Sequence, residues 1–592
     1  MHAALEYPFD SEVLLKKYKS LKRELLNSSD SFLRKKIAVL GGSTTNDIRK
    51  MLELFLLGHN ICPEFYESEY AQFWQDAIFG NEKLDAFAPD IIFIHTSYRN
   101  ISVFPEIGES KDQINEKLAN EYERFSAMWG KLFETHHCPI IQNNFEYPFY
   151  RLMGNKDADS IYGRVNYITR LNMKLYEYAQ EHENFYINDI NWLSADYGLE
   201  AWSNPFYWYL YKYSLCVPAI PRLSQSVANI IKSIYGKNKK AFALDLDNTL
   251  WGGVVGDDGP ENLELGQETS IGEAYSEFQS YIKAHKGLGI LLNIISKNDH
   301  ENAIKGLNHP DSTLSPEDFI DIKANWEHKN INMAQMAEEL ALLPGSFVFL
   351  DDNPVERDIV KTQFPEVAVP TLEKVEQYIR AVDRSGFFEV TSLSADDLKR
   401  SAMYKENIER TKLQMAFTDY KDFLRSLDMQ AEIMPFSPMY ISRIAQLTNR
   451  SNQFNLTTKR YTQEEIASAS KQKVTLYGKL SDKFGDNGVV SVVIGEIENN
   501  TLHIVLWLMS CRVLKRDMEF AMMDELVMEC QRRDISEIIG YYYPSGKNGM
   551  VSGFYDIQGF DLEHEEELVK KVYKLRIDNG YELKNHVIAV NK

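Results

Sequence analysis

The stretch of the chain that most clearly suggests chemistry is residues 241–253, where an apolar run carries two carboxylates, Asp245 and Asp247. Lys239 and Lys240 precede this run, whose composition is typical of a buried parallel strand. Residues two apart on a strand share a face, so both carboxylates are expected to point into the crevice at the carboxyl end of the sheet. Such a pair suits Mg²⁺. With a phosphate substrate, Asp245 could attack phosphorus, and Asp247 could protonate the leaving oxygen and then activate water.

An Asp pair at the end of a strand can also simply cap the next element, and the pair alone does not decide between the two interpretations. Three later features favour chemistry. A second apolar run ends near the hydroxyl of Ser296, a following segment carries Lys329, and a third apolar run is followed by Asp351 and Asp352. A hydroxyl and an ammonium group suit phosphate oxygens, and two further carboxylates suit a cation.

The order nucleophile, hydroxyl, lysine and acidic pair resembles the haloacid dehalogenase (HAD) phosphotransferase superfamily, which implies a Rossmann-like domain with a Mg²⁺ cofactor. The resemblance implies a nucleophile at Asp245 and a general acid and base at Asp247. The implied metal ligands are Asp245, the backbone carbonyl of Asp247, and Asp352, with Asp351 as the open alternative to Asp352. The implied phosphate contacts come from Asn248, Thr249, Ser296, Lys297 and Lys329.

The spacing of these motifs predicts a site without a large cap domain. The intervals from Asp245 to Ser296 and from Ser296 to Lys329 must each hold a strand and a helix, and independent domains start near about 50 residues. Only residues 251–272, rich in Gly and acidic residues, could form a small flap. An open site favours a large substrate, such as a phosphate carried on another protein, although it also admits small molecules.

The composition limits the classes of function and compartment. The 592 residues suggest three or four domains, and the net charge of −21 argues against general nucleic-acid binding. Five scattered cysteines without a metal-binding spacing predict reduced thiols in the cytoplasm. The N-terminus lacks the pattern of a signal peptide, and the longest apolar runs are as short as strands, so no membrane association is expected.

The pattern of strands and helices predicts three consecutive α/β domains, with the HAD domain in the centre. Their predicted ranges are 1–235, 236–380 and 381–592. In the first domain, buried strands at 36–45, 90–95, 138–142 and 184–189 alternate with helix-sized spacers. This alternation is typical of a parallel sheet with helices on both faces.

In the first domain, Ser43 after two glycines and Asn100 beyond a later strand resemble the arrangement of SGNH hydrolases. Such an enzyme also needs an Asp and a His close together near the end of the domain. The corresponding segment, 202–208, contains neither. Because a serine without a base is a weak nucleophile, a non-catalytic domain for docking or substrate presentation is favoured over an active esterase.

In the third domain, the strand 502–510, the helix that starts at Asp517 and the strand 536–543 follow an order that resembles the GNAT acyltransferase core. In that core, amides at a helix N-terminus hold the pyrophosphate of coenzyme A. The usual glycines are absent from 512–517. A pantetheine arm on a carrier protein is therefore favoured as the ligand over coenzyme A.

Cys511, directly after the strand 502–510, is the candidate nucleophile of this domain. Arg512, Lys515 and Arg516 follow it and would favour the thiolate. The alternative is a buried structural cysteine, the commoner fate of an unpaired Cys.

Several longer strings, among them Leu244–Gly253, Trp326–Lys329, Asn452–Thr457, Asp482–Gly488 and Ser510–Val513, resemble the FkbH-like family. The family implies a bifunctional protein. It takes the acyl group of a phosphorylated three-carbon acid, holds it on Cys511, passes it to the pantetheine arm of an acyl carrier protein, and removes the phosphate at Asp245. Two alternatives stay open: a phosphatase acting on a soluble sugar or acid phosphate, and a carrier-protein docking scaffold.

Overall fold

The structure is a computed structural model that describes residues 2–28, 32–566, 569–577 and 581–591. It divides into two compact units. Unit 1 comprises Met1–Ile234 and Glu389–Thr391, and unit 2 comprises Tyr235–Phe388 and Ser392–Lys592. The predicted α/β class is confirmed, since both units combine sheets with packed helices.

Unit 1 is built on a parallel five-stranded sheet in the order β2-β1-β3-β4-β5. The strands are β1 Leu33–Gly41, β2 Ile61–Glu67, β3 Ile91–His95, β4 Ile140–Asn143 and β5 Phe185–Asn188. The helices are α1 Ser11–Asn27, α2 Asn46–Gly58, α3 Phe73–Phe79, α4 Glu82–Phe87, α5 Lys111–His136, α6 Arg164–Glu181, α7 Ile190–Tyr197, α8 Leu199–Trp202, α9 Pro205–Tyr211 and α10 Ile220–Ile234. The sequence pattern missed β2, because this edge strand contains a proline and two glutamates and lacks a long apolar run.

The first part of unit 2 holds a parallel four-stranded sheet in the order β8-β7-β6-β9. Its strands are β6 Ala241–Leu244, β7 Asn293–Ser296, β8 Asp321–Ala324 and β9 Phe347–Leu350. Its helices are α11 Val255–Asp258, α12 Ser270–Gly287, α13 His300–Leu307, α14 Lys329–Glu339, α15 Pro354–Gln363 and α16 Tyr378–Arg384. Strands β6, β7 and β9 are buried throughout, as their apolar sequences predict.

The second part of unit 2 holds a mixed nine-stranded sheet, in which eight strands follow the order β16-β17-β15-β14-β13-β12-β10-β18 and β11 pairs with β14. The strands are β10 Met429–Met434, β11 Phe454–Asn455, β12 Val474–Asp482, β13 Gly485–Glu498, β14 Thr501–Met509, β15 Glu537–Tyr542, β16 Asp561–Glu566, β17 Lys570–Arg576 and β18 Ile588–Asn591. The helices are α17 Ala395–Leu398, α18 Arg400–Gln414, α19 Tyr420–Ser426, α20 Ile441–Arg450, α21 Gln463–Gln472, α22 Met518–Arg532 and α23 Phe554–Ile557.

The three sheets follow one another along the chain, but the second and third belong to one compact unit. The domain boundaries expected at 235 and 380 therefore stay a prediction. Strand β14 pairs in parallel with β15 and antiparallel with β13, and Cys511 lies two residues beyond its last residue, Met509. The string Asp482–Gly488 includes the tight turn between β12 and β13, across which Asp482 pairs with Gly485.

Candidate functional site

Three carboxylates converge at the carboxyl edge of the four-stranded sheet. Asp245 follows β6, and Asp351 and Asp352 follow β9. Because β6 and β9 are adjacent parallel strands, their ends meet at this edge. One carboxylate oxygen of each of the three residues lies within 4.8 Å of those of the other two. Clustered carboxylate oxygens are the ligands that Mg²⁺ prefers.

Lys329 is the first residue of α14 and supplies a positive charge to this cluster. Its Nζ lies 2.8 Å from Asp245 Oδ1 and 2.6 Å from Asp351 Oδ2, and the residue is 3% exposed. Burial lowers the pKa of Lys329, but the two carboxylates outweigh burial and raise it overall. The side chain is therefore a fixed ammonium group between the ends of two strands.

The acidic pair after β9 has unequal surroundings. Asp351 Oδ2 accepts from Lys329, and Asp351 Oδ1 accepts from the backbone N–H of Asn353 at 2.9 Å. Burial, together with the charge of Asp245, raises the pKa of Asp351 to about 6. The half-buried Asp352 also has a raised pKa, from burial and from Asp245. Asp351 thus has a protein partner on each oxygen, and three carboxylates share a single ammonium group.

The carboxylate of Asp247 is held by contacts outside this cluster. Its Oδ1 accepts from Trp251 Nε1 at 2.9 Å and from the backbone N–H of Val255 at 3.1 Å, and its Oδ2 accepts from Asn298 Nδ2 at 2.9 Å. Burial raises the pKa of Asp247 above its ordinary value. These contacts fix the orientation of a carboxyl group that retains a proton more readily than an exposed aspartate does.

Three of the residues predicted to contact phosphate lie in or after β6 and β7 and have backbone contacts or are buried. Thr249 Oγ1 accepts from the backbone N–H of Asp352 at 3.1 Å, and Ser296 is buried at the end of β7. Asn248 has a φ of 56°, and its Oδ1 accepts from the backbone N–H of Gly253 at 3.0 Å. Asn248 therefore shapes the turn after β6.

The side chain of Lys297, another predicted phosphate contact, points to a protein partner. Its Nζ lies 2.6 Å from Glu356 Oε1. Three residues at the site were not predicted: Trp251 and Asn298, which hold Asp247, and Arg357. Arg357 Nη1 donates to the carbonyl of Asp351 at 2.7 Å and fixes the loop after β9. Each of these three residues lies within or directly after one of the apolar motif segments of the sequence, and this position was the only signal of a role at the site.

The loop after β6 forms the small flap that the motif spacing predicts. Gly252 and Glu264 pair through two backbone hydrogen bonds of 3.2 and 2.9 Å, with α11 between them. Gly253 adopts a φ of 96°, which favours glycine. From Asp245 to Lys329 the structure describes every residue, and this stretch contains no separate cap domain.

Cys511 lies in a different part of unit 2. It is half-buried two residues beyond the end of β14, and its Sγ lies 3.9 Å from Tyr404 Oη. Of the cations predicted around it, Arg516 lies 3.2 Å from Asp482, Arg512 Nε donates to the neighbouring serine hydroxyl, and Lys515 is exposed. The prediction that all three favour a thiolate therefore lacks supporting contacts.

Comparison with known proteins places this geometry in a family. A model described as "FkbH, N-terminal domain" matches residues 36–232. Among solved structures, the N-terminal part of the protein BF1531 from Bacteroides fragilis, described as containing a phosphatase domain complexed with Mg, is 30% identical. That match covers 64% of this chain and 99% of the other, with a TM-score of 0.59. The chain belongs to the FkbH-like family of HAD proteins.

Further matches to this FkbH-like chain are weaker. An acetyltransferase of the GNAT family from Streptococcus pneumoniae is 14% identical, with 25% of this chain and 100% of the other covered and a TM-score of 0.21. Ard1 from Thermoplasma volcanium is 16% identical, with coverage of 25% and 99% and the same TM-score. Matches at this level give no information on activity. No curated protein matches the chain. Within the described residues, every helix is too short or too polar to cross a membrane.

Unit 1 of the FkbH-like chain places a histidine near Ser43 that the sequence did not reveal. Ser43 Oγ donates to Ser214 Oγ at 3.3 Å, and Ser214 Oγ lies 3.1 Å from His95 Nε2. Asn143 Nδ2, a donor, lies 2.9 Å from His95 Nδ1, so Nδ1 accepts and Nε2 carries the proton. Burial lowers the pKa of His95 to about 4. In this arrangement His95 donates to Ser214, which lies between it and Ser43, and the lowered pKa makes His95 a weak base.

Asn100, the second residue of the resemblance to SGNH hydrolases, has a structural contact. Its Nδ2 donates to the carbonyl of Gly42 at 2.9 Å, and a Cβ added at Gly42 would lie 2.4 Å from the Asn100 side chain. Gly42 is thus required for the close approach of this loop to Asn100.

Proposed function

We propose that the protein is a Mg²⁺-dependent HAD phosphatase in which Asp245 accepts the phosphoryl group. The observation that carries the proposal is the convergence of Asp245, Asp351 and Asp352 with Lys329 at one edge of a parallel sheet. The Bacteroides fragilis relative, which contains a phosphatase domain complexed with Mg, supports the same activity and the same ion.

The residues present fit a Mg²⁺ ion. Three carboxylates share one ammonium group, and burial, followed by the charge of Asp245, raises the pKa values of Asp351 and Asp352. Asp351 has a protein partner on each oxygen, so Asp245, Asp352 and the backbone carbonyl of Asp247 are the proposed ligands. When bound, Mg²⁺ would neutralise the carboxylates and polarise the phosphate oxygens.

The chain's own residues account for the reaction steps. A carboxylate oxygen of Asp245 attacks phosphorus, and the bond from phosphorus to the ester oxygen breaks. The leaving oxygen takes the proton that Asp247 retains, and Trp251 and Asn298 keep that carboxyl group oriented. Water then attacks the aspartyl-phosphate, gives its proton to Asp247 and releases inorganic phosphate. Lys329 offsets the phosphoryl charge throughout.

The test compares two substitutions in neighbouring loop segments. Asp245→Asn removes the nucleophile and is expected to abolish hydrolysis of a phosphate monoester. Asp257→Asn changes an exposed carboxylate on α11 and is expected to leave turnover unchanged. Steady-state phosphate release with added Mg²⁺ measures both. Wild-type turnover by Asp245→Asn would contradict the assignment.

We further propose that phosphate removal is coupled to transfer of a phosphorylated three-carbon acyl group to a carrier protein through Cys511. The Cys511 sulfur attacks the carbonyl carbon of an acyl phosphate and the C–S bond forms; the C–O bond to phosphate breaks, and phosphate leaves with the electron pair and takes the thiol proton. The pantetheine thiol of the carrier then attacks the thioester, and the Cys511 sulfur leaves with the proton of that thiol. Support comes from the position of Cys511, half-buried beside a cavity of about 90 Å³ that also reaches Lys240.

The positions of the two sites support delivery of the phosphate on a mobile arm. Lys240 lines the cavity just before β6, and Asp245 follows the other end of that strand. At about 3.3 Å per residue the two lie about 16 Å apart along the strand. A pantetheine arm that carries the phosphorylated acyl group into the uncapped site would span such a distance.

Cys511→Ser is expected to abolish loading of a carrier protein and to spare phosphatase activity on a small ester. Intact-mass spectrometry of the protein incubated with donor, without carrier, is expected to show one acyl group on the wild type and none on the variant. An unmodified wild-type chain that still hydrolyses phosphate esters would favour the alternative of a phosphatase acting on a soluble phosphate. For unit 1 we propose a non-hydrolytic docking role, which the tautomer of His95 supports.

A further inference from the structure

The cavity beside Cys511 has a strongly cationic lining. It lies between the start of β6 and the nine-stranded sheet and has a volume of about 90 Å³. Five of its lining side chains are cationic and one is a carboxylate: Lys240, Arg400, Arg443, Arg450, Arg512 and Asp396. The steps proposed for phosphate hydrolysis use none of them.

The carboxylate in the lining is shared between two arginines. Asp396 Oδ2 lies 2.9 Å from Arg443 Nε and 3.8 Å from Arg512 Nη2. Arg512 also donates through Nε to Ser510 Oγ at 3.2 Å. One negative charge thus serves two guanidinium groups.

Two of the three remaining cations share a second carboxylate. Asp397 lies behind the lining, 2% exposed, and pairs with both Arg400 and Arg450. Lys240 Nζ contacts the backbone carbonyl of Arg450 at 3.5 Å, and this carbonyl adds no charge. Two carboxylates therefore face five cations, which leaves an excess of three positive charges around the cavity.

Two cations of the lining have lowered pKa values, for which burial is the main cause. Burial lowers the pKa of Lys240 to about 8; the charge of Cys511 opposes this shift, and those of Arg400 and Arg450 add to it. Burial, followed by the neighbouring Arg512, lowers the pKa of Arg443 to about 9. A bound anion would oppose both shifts, since an opposite charge nearby favours the protonated form.

We propose that this cavity binds the phosphate group of a small phosphorylated acyl donor and thereby places the donor's carbonyl carbon beside Cys511. A phosphate dianion offsets two of the three excess charges, and guanidinium groups bind phosphate in bidentate fashion. A cavity of this volume holds several water molecules and so has room for a group of several non-hydrogen atoms. The inference rests on the acyl-transfer role proposed for Cys511, but its test measures anion binding and not transfer.

The test uses the reactivity of Cys511 in the full-length protein. Iodoacetate and iodoacetamide alkylate a thiol by the same displacement of iodide, but only iodoacetate is an anion. Peptide mass spectrometry gives the alkylation rate at Cys511 for each reagent. We expect the ratio of the iodoacetate rate to the iodoacetamide rate to exceed that of a simple thiol by about tenfold, because a cationic cleft concentrates anions.

Two variants and one control tie that ratio to the cavity. Arg443→Gln and Lys240→Gln each remove one lining charge and are expected to lower the ratio several-fold. Arg425→Gln removes an exposed arginine of α19 and is expected to leave the ratio and the phosphatase activity unchanged. Far-UV circular dichroism checks that the variants are folded, and two lining positions are used in case one of them fails this check.

Competing anions complete the test. Inorganic phosphate and a phosphorylated three-carbon acid are each expected to slow iodoacetate alkylation in the wild type. A stronger effect of the phosphorylated acid identifies the donor as the source of the phosphate, and an equal effect identifies a site for free phosphate. A ratio near that of a simple thiol, or protection that Arg443→Gln does not weaken, would overturn the inference. Loss of phosphatase activity in Asp245→Asn is a separate result and does not bear on it.

Discussion

Replacement of Lys329 by methionine removes the one ammonium group at the phosphatase site while keeping an unbranched side chain. Lys329 Nζ lies 2.8 Å from Asp245 Oδ1 and 2.6 Å from Asp351 Oδ2 and is almost completely buried. A charge contact that strengthens in the transition state is worth about 3 kcal/mol. At 1.36 kcal/mol per tenfold, Lys329→Met is expected to lower kcat by about a hundredfold.

The same substitution leaves the buried carboxylates of Asp245 and Asp351 without their shared cation. Breaking a buried ion pair from one side costs about 3 to 5 kcal/mol of stability. Lys329→Met is therefore expected to lower the thermal midpoint at neutral pH, and added Mg²⁺ to recover part of the loss. An effect on stability without an effect on kcat would assign Lys329 a structural role only.

The assay is steady-state hydrolysis of a phosphate monoester at saturating Mg²⁺, with kcat and KM determined separately. Loss of a transition-state contact lowers kcat and leaves KM nearly unchanged. Lys305→Met, on the exposed face of α13, is the matched control and is expected to behave as the wild type. A kcat for Lys329→Met within threefold of the wild type would refute the role given to this side chain.

Three further substitutions test separate parts of the account. Asp247→Asn is expected to slow hydrolysis of an alkyl phosphate far more than that of p-nitrophenyl phosphate, whose leaving group needs no proton; equal losses would contradict a general acid. Ser43→Ala is expected to leave any hydrolysis of an activated ester unchanged, and a loss would indicate a second active site. Glu146, completely buried in unit 1, has its pKa raised to about 8 by burial. The contribution of Glu146 to stability therefore falls as the pH rises from the pKa of this residue in the unfolded chain through 8. Glu146→Gln is expected to raise the free energy of unfolding by roughly 4 kcal/mol at pH 8.5 and to change it little near pH 4.5. Calorimetry at the two pH values measures this difference, and a pH-independent effect would refute the assignment.

The parts of the phosphatase site that the sequence predicted are those set by strand patterns. Buried parallel strands have continuous apolar sequences, so the residues that follow them, Asp245 and Asp351 among them, could be placed at one sheet edge before the structure was known. The partners of Asp247 were not predictable in the same way. Trp251 lies in the loop after β6, Asn298 lies in the segment after the neighbouring strand β7, and the orientation of both side chains depends on packing.

In unit 1 and around Cys511, the sequence could not predict contacts between residues that lie far apart along the chain. His95 and Ser214 lie far from Ser43 in the sequence, and only the fold brings them into one hydrogen-bonded chain. Near Cys511, the sequence of charges suggested three neighbouring cations, and one of them, Arg512, lines the adjoining cavity. Arg516 pairs with Asp482, and other cavity cations, Lys240 among them, come from elements distant in the sequence.

Trapping the aspartyl-phosphate on Asp245 would show directly that this residue is the nucleophile. The protein is mixed with Mg²⁺ and a phosphate monoester, quenched in acid during the first turnover, and digested for peptide mass spectrometry. We expect one phosphoryl group, located on Asp245 in the peptide that contains β6, and none in Asp245→Asn. A phosphoryl group on any other residue, or rapid turnover without a trapped phosphoryl group in the wild type, would contradict it.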